Sequence, residues 1–535
     1  KDAPGSFRYS GLGRSKFLEA AELAAKGDLK QLGALDVVSE VCGRMQFDQL
    51  RVIVRDLAQL CPEACGGMLD AVLQHVDAVE IHIKRDLKAH LNHADASACV
   101  WHCRNHAHAD PESCDCSRPA VCEHEHTIGC AECALLSALQ HDMRIMLHAA
   151  ELQLRRALPP QQTGELVVGS YVTFTDEAGV AHVSTIREVI AAAAGATADT
   201  APAASFMVDV GFEGALRLAP AAALTPRPSE PRLEKITQLR ELARRSCEKL
   251  DTYYSHMVRA AHEAATMSRL LDELDDDEAL VVADWKMKFL MSCFREAMSD
   301  FFGKRGMPWH GCMLIRKPLR FERAKYGEGE FVCEYKHAMM LGSKEDGFAT
   351  LSAVHVALAE YKVENPHISR ATLKTDGAAA YAGATFALGL PYLIQTTGIR
   401  VEGHFIGEAG QNKSTLDGEF AVSGNMLRRL ICSGAHDVRT PDDLFAGLKK
   451  VLRGGRTVAL FQTADGAAFE AAAIAGLTLM SHRTYEYEDD DFSAIVLRRQ
   501  SFLGEGQRMT LEELFPDGRR APRPAAPVVL ATTSN

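Results

Sequence analysis

The chain has 535 residues, 47% hydrophobic and 24% charged, too many for one core, so about two to four domains are expected. A net charge of −12 and a pI near 6.0 exclude a protein whose whole surface coats phosphate; a nucleic-acid ligand must be gripped by local basic patches and metal. There is no run of roughly 18 apolar residues, so no membrane partner is expected, and a start at Lys1 without a charged-then-apolar leader reads as a trimmed or partial chain.

Residues 1–95 read as a helical N-terminal region, because apolar residues recur at three- and four-residue steps in Phe47–Leu60 and Met68–Leu91. Residues 96–140 form a Cys/His module. Seven of the fifteen cysteines lie between Cys99 and Cys133 with five histidines among them, which points to metal in a reducing compartment rather than to disulfides. The ligand types run Cys99-x2-His102-Cys103-x2-His106-x-His108-x5-Cys114-x-Cys116-x5-Cys122-x-His124-x-His126-x3-Cys130-x2-Cys133. Two thiolates spaced as Cys130 and Cys133 can grip one tetrahedral ion. We take Cys99, Cys103, Cys114, Cys116, Cys122, His126, Cys130 and Cys133 as zinc ligands, with His102, His106, His108 and His124 as alternates. They suffice for two structural Zn2+ sites, since sulfur-rich closed shells leave no place for water. Whether the module touches DNA or staples the helical layers is open, with stapling favoured by the acidity.

Residues 141–163 read as a helix ended by Pro159/Pro160. In 164–228 the runs Glu165–Phe174, Ala181–Ile190, Ser205–Val210 and Gly214–Leu218 read as short strands of a small β-barrel-like domain of the SH3, Tudor or BAH kind, with 191–204 a loop. Residues 229–275 form a linking helix with Ser229 as its N-cap. From Asp275 the pattern becomes three strands (279–289, 309–317, 330–341), a helix (347–363), a strand ending at Asp376, a helix (379–388), a strand (400–407) and a long helix (411–431). A further helix (442–452), strand (456–462), helix (465–475) and strand pair (483–502) follow. This order predicts an RNase H-like α/β catalytic core with a mixed sheet over 276–515, within a multidomain α+β chain. The Pro-, Ala- and Arg-rich stretch 516–535 is expected to be a disordered tail.

Two-metal phosphodiester cleavage needs carboxylates converging from separate elements. Such a fold offers three places: the first strand, the end of the fourth strand, and the helix after the fifth. Asp284 sits in the otherwise apolar Leu280-Val-Val-Ala-Asp-Trp. Asp376 closes Lys374-Thr-Asp-Gly, where Gly377 lets the chain turn. Asp417 lies in the first turns of the last helix. Singly, each is an ordinary structural Asp; the signal is the set of three. Glu408 and Glu419 are rivals for the third place, although Glu419 falls on a different helix face from Asp417. Lys413 is a candidate phosphate contact at a helix start. His310 and His404 are candidates to orient water or phosphate, against the blander role of partly buried, satisfied histidines. The basic patches Lys304/Arg305, Arg316 to Arg323, Arg428/Arg429 and Lys449 to Arg456 are candidate DNA contacts, against the blander reading as solvated faces.

The segments Asp284-Trp-Lys-Met-Lys-Phe, Phe302-Gly-Lys-Arg-Gly-Met-Pro-Trp-His-Gly311, Lys374-Thr-Asp-Gly377 and Glu408-Ala-Gly-Gln-Asn-Lys-Ser-Thr-Leu-Asp-Gly418 resemble eukaryotic cut-and-paste DDE/DDD transposases and their domesticated descendants, in several of which a Cys/His module precedes the core. The resemblance covers roughly 276–510. It implies a nuclear, homodimeric or larger assembly that pairs transposon terminal repeats, cleaves DNA with two Mg2+ or Mn2+ ions held by Asp284, Asp376 and Asp417, and joins the ends to target DNA. Asp instead of the commoner Glu in the third place departs from the usual pattern, and the acidic charge favours a domesticated descendant that binds DNA or chromatin without cleavage. An RNase H-like nuclease is the third reading.

Overall fold

The computed structural model describes residues 38–87, 98–99, 102, 125–157, the backbone of five strands between 171 and 227, 231–298, 304, 306–326, 330–342, 344–408, 414–463, 482–489, 492–498, 506–514 and 526–533. The expected Ser229 cap, the helix over 465–475, Lys413, Arg305, Cys103, His106, His108, Cys114, Cys116, Cys122 and His124 lie outside them.

The N-terminal part is a helical layer. Helix α1 (Met45–Leu60) buries Phe47, Leu50, Ile53, Val54 and Leu57, the three- and four-residue rhythm of an amphipathic helix. It packs with α2 (Leu69–Ile81) and α3 (Leu135–Ala157) against α4 (Pro231–Glu273) as far as Val258, in one core that includes Val76, Met146, Leu239 and Val258. Helix α4 has 43 residues, about 65 Å of rod. Its far end belongs to a second core, where Leu271, and Leu274 just past the helix, join the side chains beneath a large sheet. Between α3 and α4 lie strands β1 (Tyr171–Thr175), β2 (Ala181–Ile190), β3 (Ser205–Asp209), β4 (Leu216–Pro220) and β5 (Thr225–Arg227), one more than expected. They form an antiparallel sheet ordered β4-β3-β2-β1-β5, in which the last strand returns to pair with the first.

The large sheet has ten strands, in the order β14 (Gln507–Thr510), β13 (Ala494–Arg498), β12 (Thr484–Glu488), β10 (Arg400–Ile406), β9 (Arg370–Thr375), β6 (Glu278–Leu290), β7 (Gly306–Arg316), β8 (Val332–Met340), β11 (Arg456–Gln462) and β15 (Val528–Thr532). Its centre is β6 (Glu278–Leu290), antiparallel to β7 (Gly306–Arg316), which pairs in turn with β8 (Val332–Met340). On the other side β6 runs parallel to β9 (Arg370–Thr375), and β9 parallel to β10 (Arg400–Ile406). Alternation along β6 feeds two cores. Ala279, Val281 and Ala283 pack with α5 (Gly347–Glu364), while Leu280 and Val282 pack with α6 (Thr415–Cys432) and α7 (Pro441–Val451). The chain is thus mixed α/β, with helices on both faces of the sheet. The strands β11 (Arg456–Gln462), β12 (Thr484–Glu488), β13 (Ala494–Arg498) and β14 (Gln507–Thr510) extend it on both sides.

Two expectations are corrected. The helix over 379–388 is a run of short helical pieces, Ala379–Ala382, Ala384–Gly389, Leu390–Leu393 and Ile394–Thr397, broken where Gly383 turns extended and where Pro391 cannot continue a hydrogen-bonded ladder. The tail is not wholly without structure. Val528–Thr532 forms β15, antiparallel to β11, and Thr533 exchanges two hydrogen bonds with Val458. The physical reason is the open edge of β11, whose backbone groups offer a ladder that a local reading of composition does not register.

Candidate metal and phosphoryl-transfer site

Strand register brings Asp284 and Asp376 level. The parallel ladder pairs Val282 with Lys374, and each aspartate stands two residues further along its chain. Asp376 lies just past the end of β9, its Oδ1 accepting from Ala378 N–H at 3.0 Å. Thr375 ties down the same turn: its hydroxyl donates to Asp376 O at 3.0 Å and lies 2.8 Å from His404 Nε2.

Asp417 arrives from the other direction. Ser414 caps α6 and Asp417 completes the capping box, its Oδ2 accepting from Ser414 N–H at 2.8 Å. Helix α6 can lie close to the sheet because Gly311, paired with Asp284 across β6 and β7, has no side chain. A Cβ there would meet Phe420 Cζ at 2.6 Å and Leu416 Cδ1 at 3.1 Å. Lys286, next but one to Asp284, anchors the helix further: its Nζ donates to Phe420 O at 2.8 Å and lies 4.4 Å from the centre of the Trp309 ring. Burial, aided by Arg428, lowers this ammonium to about 8.

The three aspartates feel one another. Burial first, then the charges of Asp376 and Asp417, push the Asp284 carboxyl up to about 7. Burial also raises Asp376, against the Ala378 N–H and with the help of Asp417. Their oxygens are not gathered as tightly as ligands of a single ion: among the described residues, the one group of three ligand atoms all within 4.8 Å lies elsewhere. Clustered, mutually repelling carboxylates of this kind fit divalent cations.

The rival acids are committed. Glu408 accepts from Arg259 at 2.9 Å, lies 3.0 Å from His256 Nδ1, and is held well below the usual carboxylate range despite its burial. Glu419 binds Arg456 through both oxygens, at 2.8 and 2.7 Å; burial would raise it, but His337, Arg456 and Ser423 bring it down to about 2. His310 and His404 are fully buried, and burial pushes each down to about 3. They stand behind the site: His310 Nε2 meets the Tyr381 hydroxyl at 3.0 Å, and His404 steadies Thr375. Of the basic patches, Arg316 and Arg456 are taken up by Glu322 and Glu419, and Lys304 by Glu296. Arg428, Arg429, Lys449 and Lys450 are exposed on α6 and α7. Sequence reasoning missed Gly311 and Lys286 as supports of the site, although both fall in the quoted motifs.

The Cys/His region contributes the tighter cluster. His102, Cys130 and Cys133 form a group able to hold a metal ion such as zinc. His102 Nε2 is 3.1 Å from Cys133 Sγ. Burial pushes the Cys133 thiol up to about 12, against a hydrogen bond with Tyr254 of α4. The expected ligand His126 stands outside this group, and the alternate His102 is in it. The reason is a backbone bridge between Cys99 and Ile128, which lays the Cys99–His102 turn beside Cys130 and Cys133.

Comparison of the chain with protein-family models, with curated proteins and with solved structures gives no match. No helix among the described residues is long and apolar enough to cross a membrane.

Proposed function

We propose that this protein is a metal-dependent DNA-cleaving and strand-joining enzyme of the DDD transposase kind, built on an RNase H-like core. The observation that carries the reading is the approach of Asp284, Asp376 and Asp417 from the central strand, the tip of its parallel neighbour and the first turn of a helix, in a sheet whose middle runs β8-β7-β6-β9-β10. Two carboxylates, Asp284 and Asp376, held where burial and the neighbouring charge of Asp417 disfavour their ionised form are costly unless cations use them.

In this reading Asp284, Asp376 and Asp417, each within electrostatic reach of another, would together hold the divalent ions. Bound Mg2+ or Mn2+ would supply the acidity that activates a water or 3′ hydroxyl and stabilises the leaving oxygen. The chain supplies placement: the Ala378 N–H and Thr375 fix Asp376, the capping box fixes Asp417, and Gly311 and Lys286 set the height of α6 above Asp284. Exposed Arg428, Arg429, Lys449 and Lys450 are the candidate phosphate grips, compatible with an acidic chain because they are local. Zinc in the Cys/His module is structural. Nuclear DNA, transposon ends and target, and a second copy of the chain are the partners.

The test is incubation with Mg2+ or Mn2+ and DNA carrying candidate terminal repeats, beside Asp376→Asn. Cleavage and joining present in the wild type and lost in the variant support transposition. Metal-independent binding without cleavage by either protein would replace it with a domesticated DNA-binding role, and cutting confined to RNA–DNA hybrids with an RNase H-like nuclease.

A further inference from the structure

We propose that Cys99, His102, Cys130 and Cys133 bind one zinc ion as a closed tetrahedral site, with Cys99 as the fourth ligand, and that this ion clamps the start of α3 to the long helix α4. The inference rests on the zinc reading of the Cys/His region and adds the ligand set and its purpose.

Both ligand pairs have the same spacing and both sit in tight turns. His102 N–H donates to Cys99 O at 3.0 Å, and Ala134 N–H to Cys130 O at 2.9 Å. Two such turns facing each other are what a tetrahedral ion requires, because a two-residue spacing lets both side chains of a pair reach one point. They do face each other: Cys99 bridges to Ile128, and Ile128 N–H donates to Ala98 O at 3.1 Å. Cys99 and Cys133 are buried, at 5% and 0% exposure, and all of these cysteines are free thiols, so the cluster is not a disulfide. His102, Cys130 and Cys133 place their ligand atoms within 4.8 Å of one another; ligands about 2.0–2.3 Å from a zinc ion lie roughly 3.5–4 Å apart, a contraction that side-chain rotation supplies. The Cys99 sulfur stands outside that group of three, but the bridge to Ile128 holds its backbone beside the Cys130–Cys133 turn, from where rotation of its side chain completes the set. No water position remains in such a shell, so the site is structural.

The purpose follows from what lies beside it. Cys133 stands two residues before α3, and its sulfur is hydrogen-bonded to the Tyr254 hydroxyl of α4. The ion therefore joins the Cys99–His102 turn, the approach to one helix and the middle of another at a single point, which loop closure alone would not do.

The experiment measures zinc content and Co2+ absorption on the full chain, with Zn2+ and Co2+ as the only probes. Cys99→Ser, Cys130→Ser and Cys133→Ser should each lose the same single zinc equivalent, and the double variant Cys99→Ser/Cys133→Ser should lose no more than either alone. His102→Cys should keep that equivalent and shift the Co2+ visible bands to longer wavelength as a fourth thiolate replaces the imidazole. It serves as the conservative check should a serine variant fail to fold. Wild-type zinc content in Cys99→Ser, two equivalents lost in the double variant, or an unchanged Co2+ spectrum in His102→Cys overturns the ligand set while leaving zinc binding by the region intact. A wild-type protein that takes up no zinc overturns the zinc reading itself.

Discussion

Gly311 stands directly across the β6–β7 ladder from Asp284, and its missing side chain is what lets α6 bring Asp417 to the same face of the sheet. The relationship is steric: a Cβ at 311 would lie 2.6 Å from Phe420 Cζ and 2.7 Å from Phe420 Cε1. Gly311→Val should therefore lift α6, costing about 1–3 kcal/mol of stability and about 100-fold in metal-dependent cleavage through misplacement of Asp417. Adding Phe420→Leu should restore part of both. Thermal melts and cleavage rates of the single and double variants check this, and a Gly311→Val protein with unimpaired cleavage would contradict it.

Asp284 links pH to stability. Without divalent ions the folded state keeps a proton on Asp284 up to about pH 7, whereas an aspartate in the unfolded chain releases it near ~3.9. The folded form thus binds more protons between these values, and this group's contribution falls as pH rises from about 4 to about 7, levelling off above. Asp284→Asn should consequently be more stable than wild type at pH ~8 by a few kcal/mol, and about equal at pH ~4. Mn2+ should raise the melting temperature of the wild type at pH ~8 and leave that of Asp284→Asn nearly unmoved. A variant less stable than wild type at pH ~8 would show that Asp284 is not under charge stress.

Asp417 has two duties that substitution can separate. Asparagine keeps an acceptor for Ser414 N–H and removes the charge; alanine removes both. Both variants should lose cleavage, whereas Asp417→Ala alone should lose a further ~0.5–2 kcal/mol from the start of α6. Circular dichroism and melts read the second effect. Full activity in Asp417→Asn would reduce this residue to a helix cap.

The last strand shields an edge. Removing residues 526–535 uncovers β11, deletes its ladder with β15 and leaves the backbone of Val458 without the Thr533 contacts. The truncated chain should lose about 1–3 kcal/mol and associate at concentrations where the full chain does not, as light scattering would show. Unchanged melting and scattering would mean that β15 adds nothing to the sheet.

Much of the large-sheet half was legible because its signals are local. An apolar strand interrupted by Asp284, a strand end marked by Asp376-Gly377, and a serine cap before Asp417 each state their own element. The broken segment 379–397 was less legible, since its apolar content favours helix while Gly383 and Pro391 interrupt it.

The sequence by itself determined which residue types are available for metal and on which kinds of element they ride, because periodicity, caps and turn residues act over a few neighbours. Only the tertiary structure decided who meets whom. His102 rather than His126 joins Cys130 and Cys133 because a bridge at Ile128 lays distant turns side by side. Glu419 turns away to Arg456 while Asp417 approaches Asp284 because Gly311 sets the depth of a helix. Residues 528–532 become a strand because an edge elsewhere in the chain is open. Each of these depends on contacts between segments far apart in sequence, and no local pattern records such contacts.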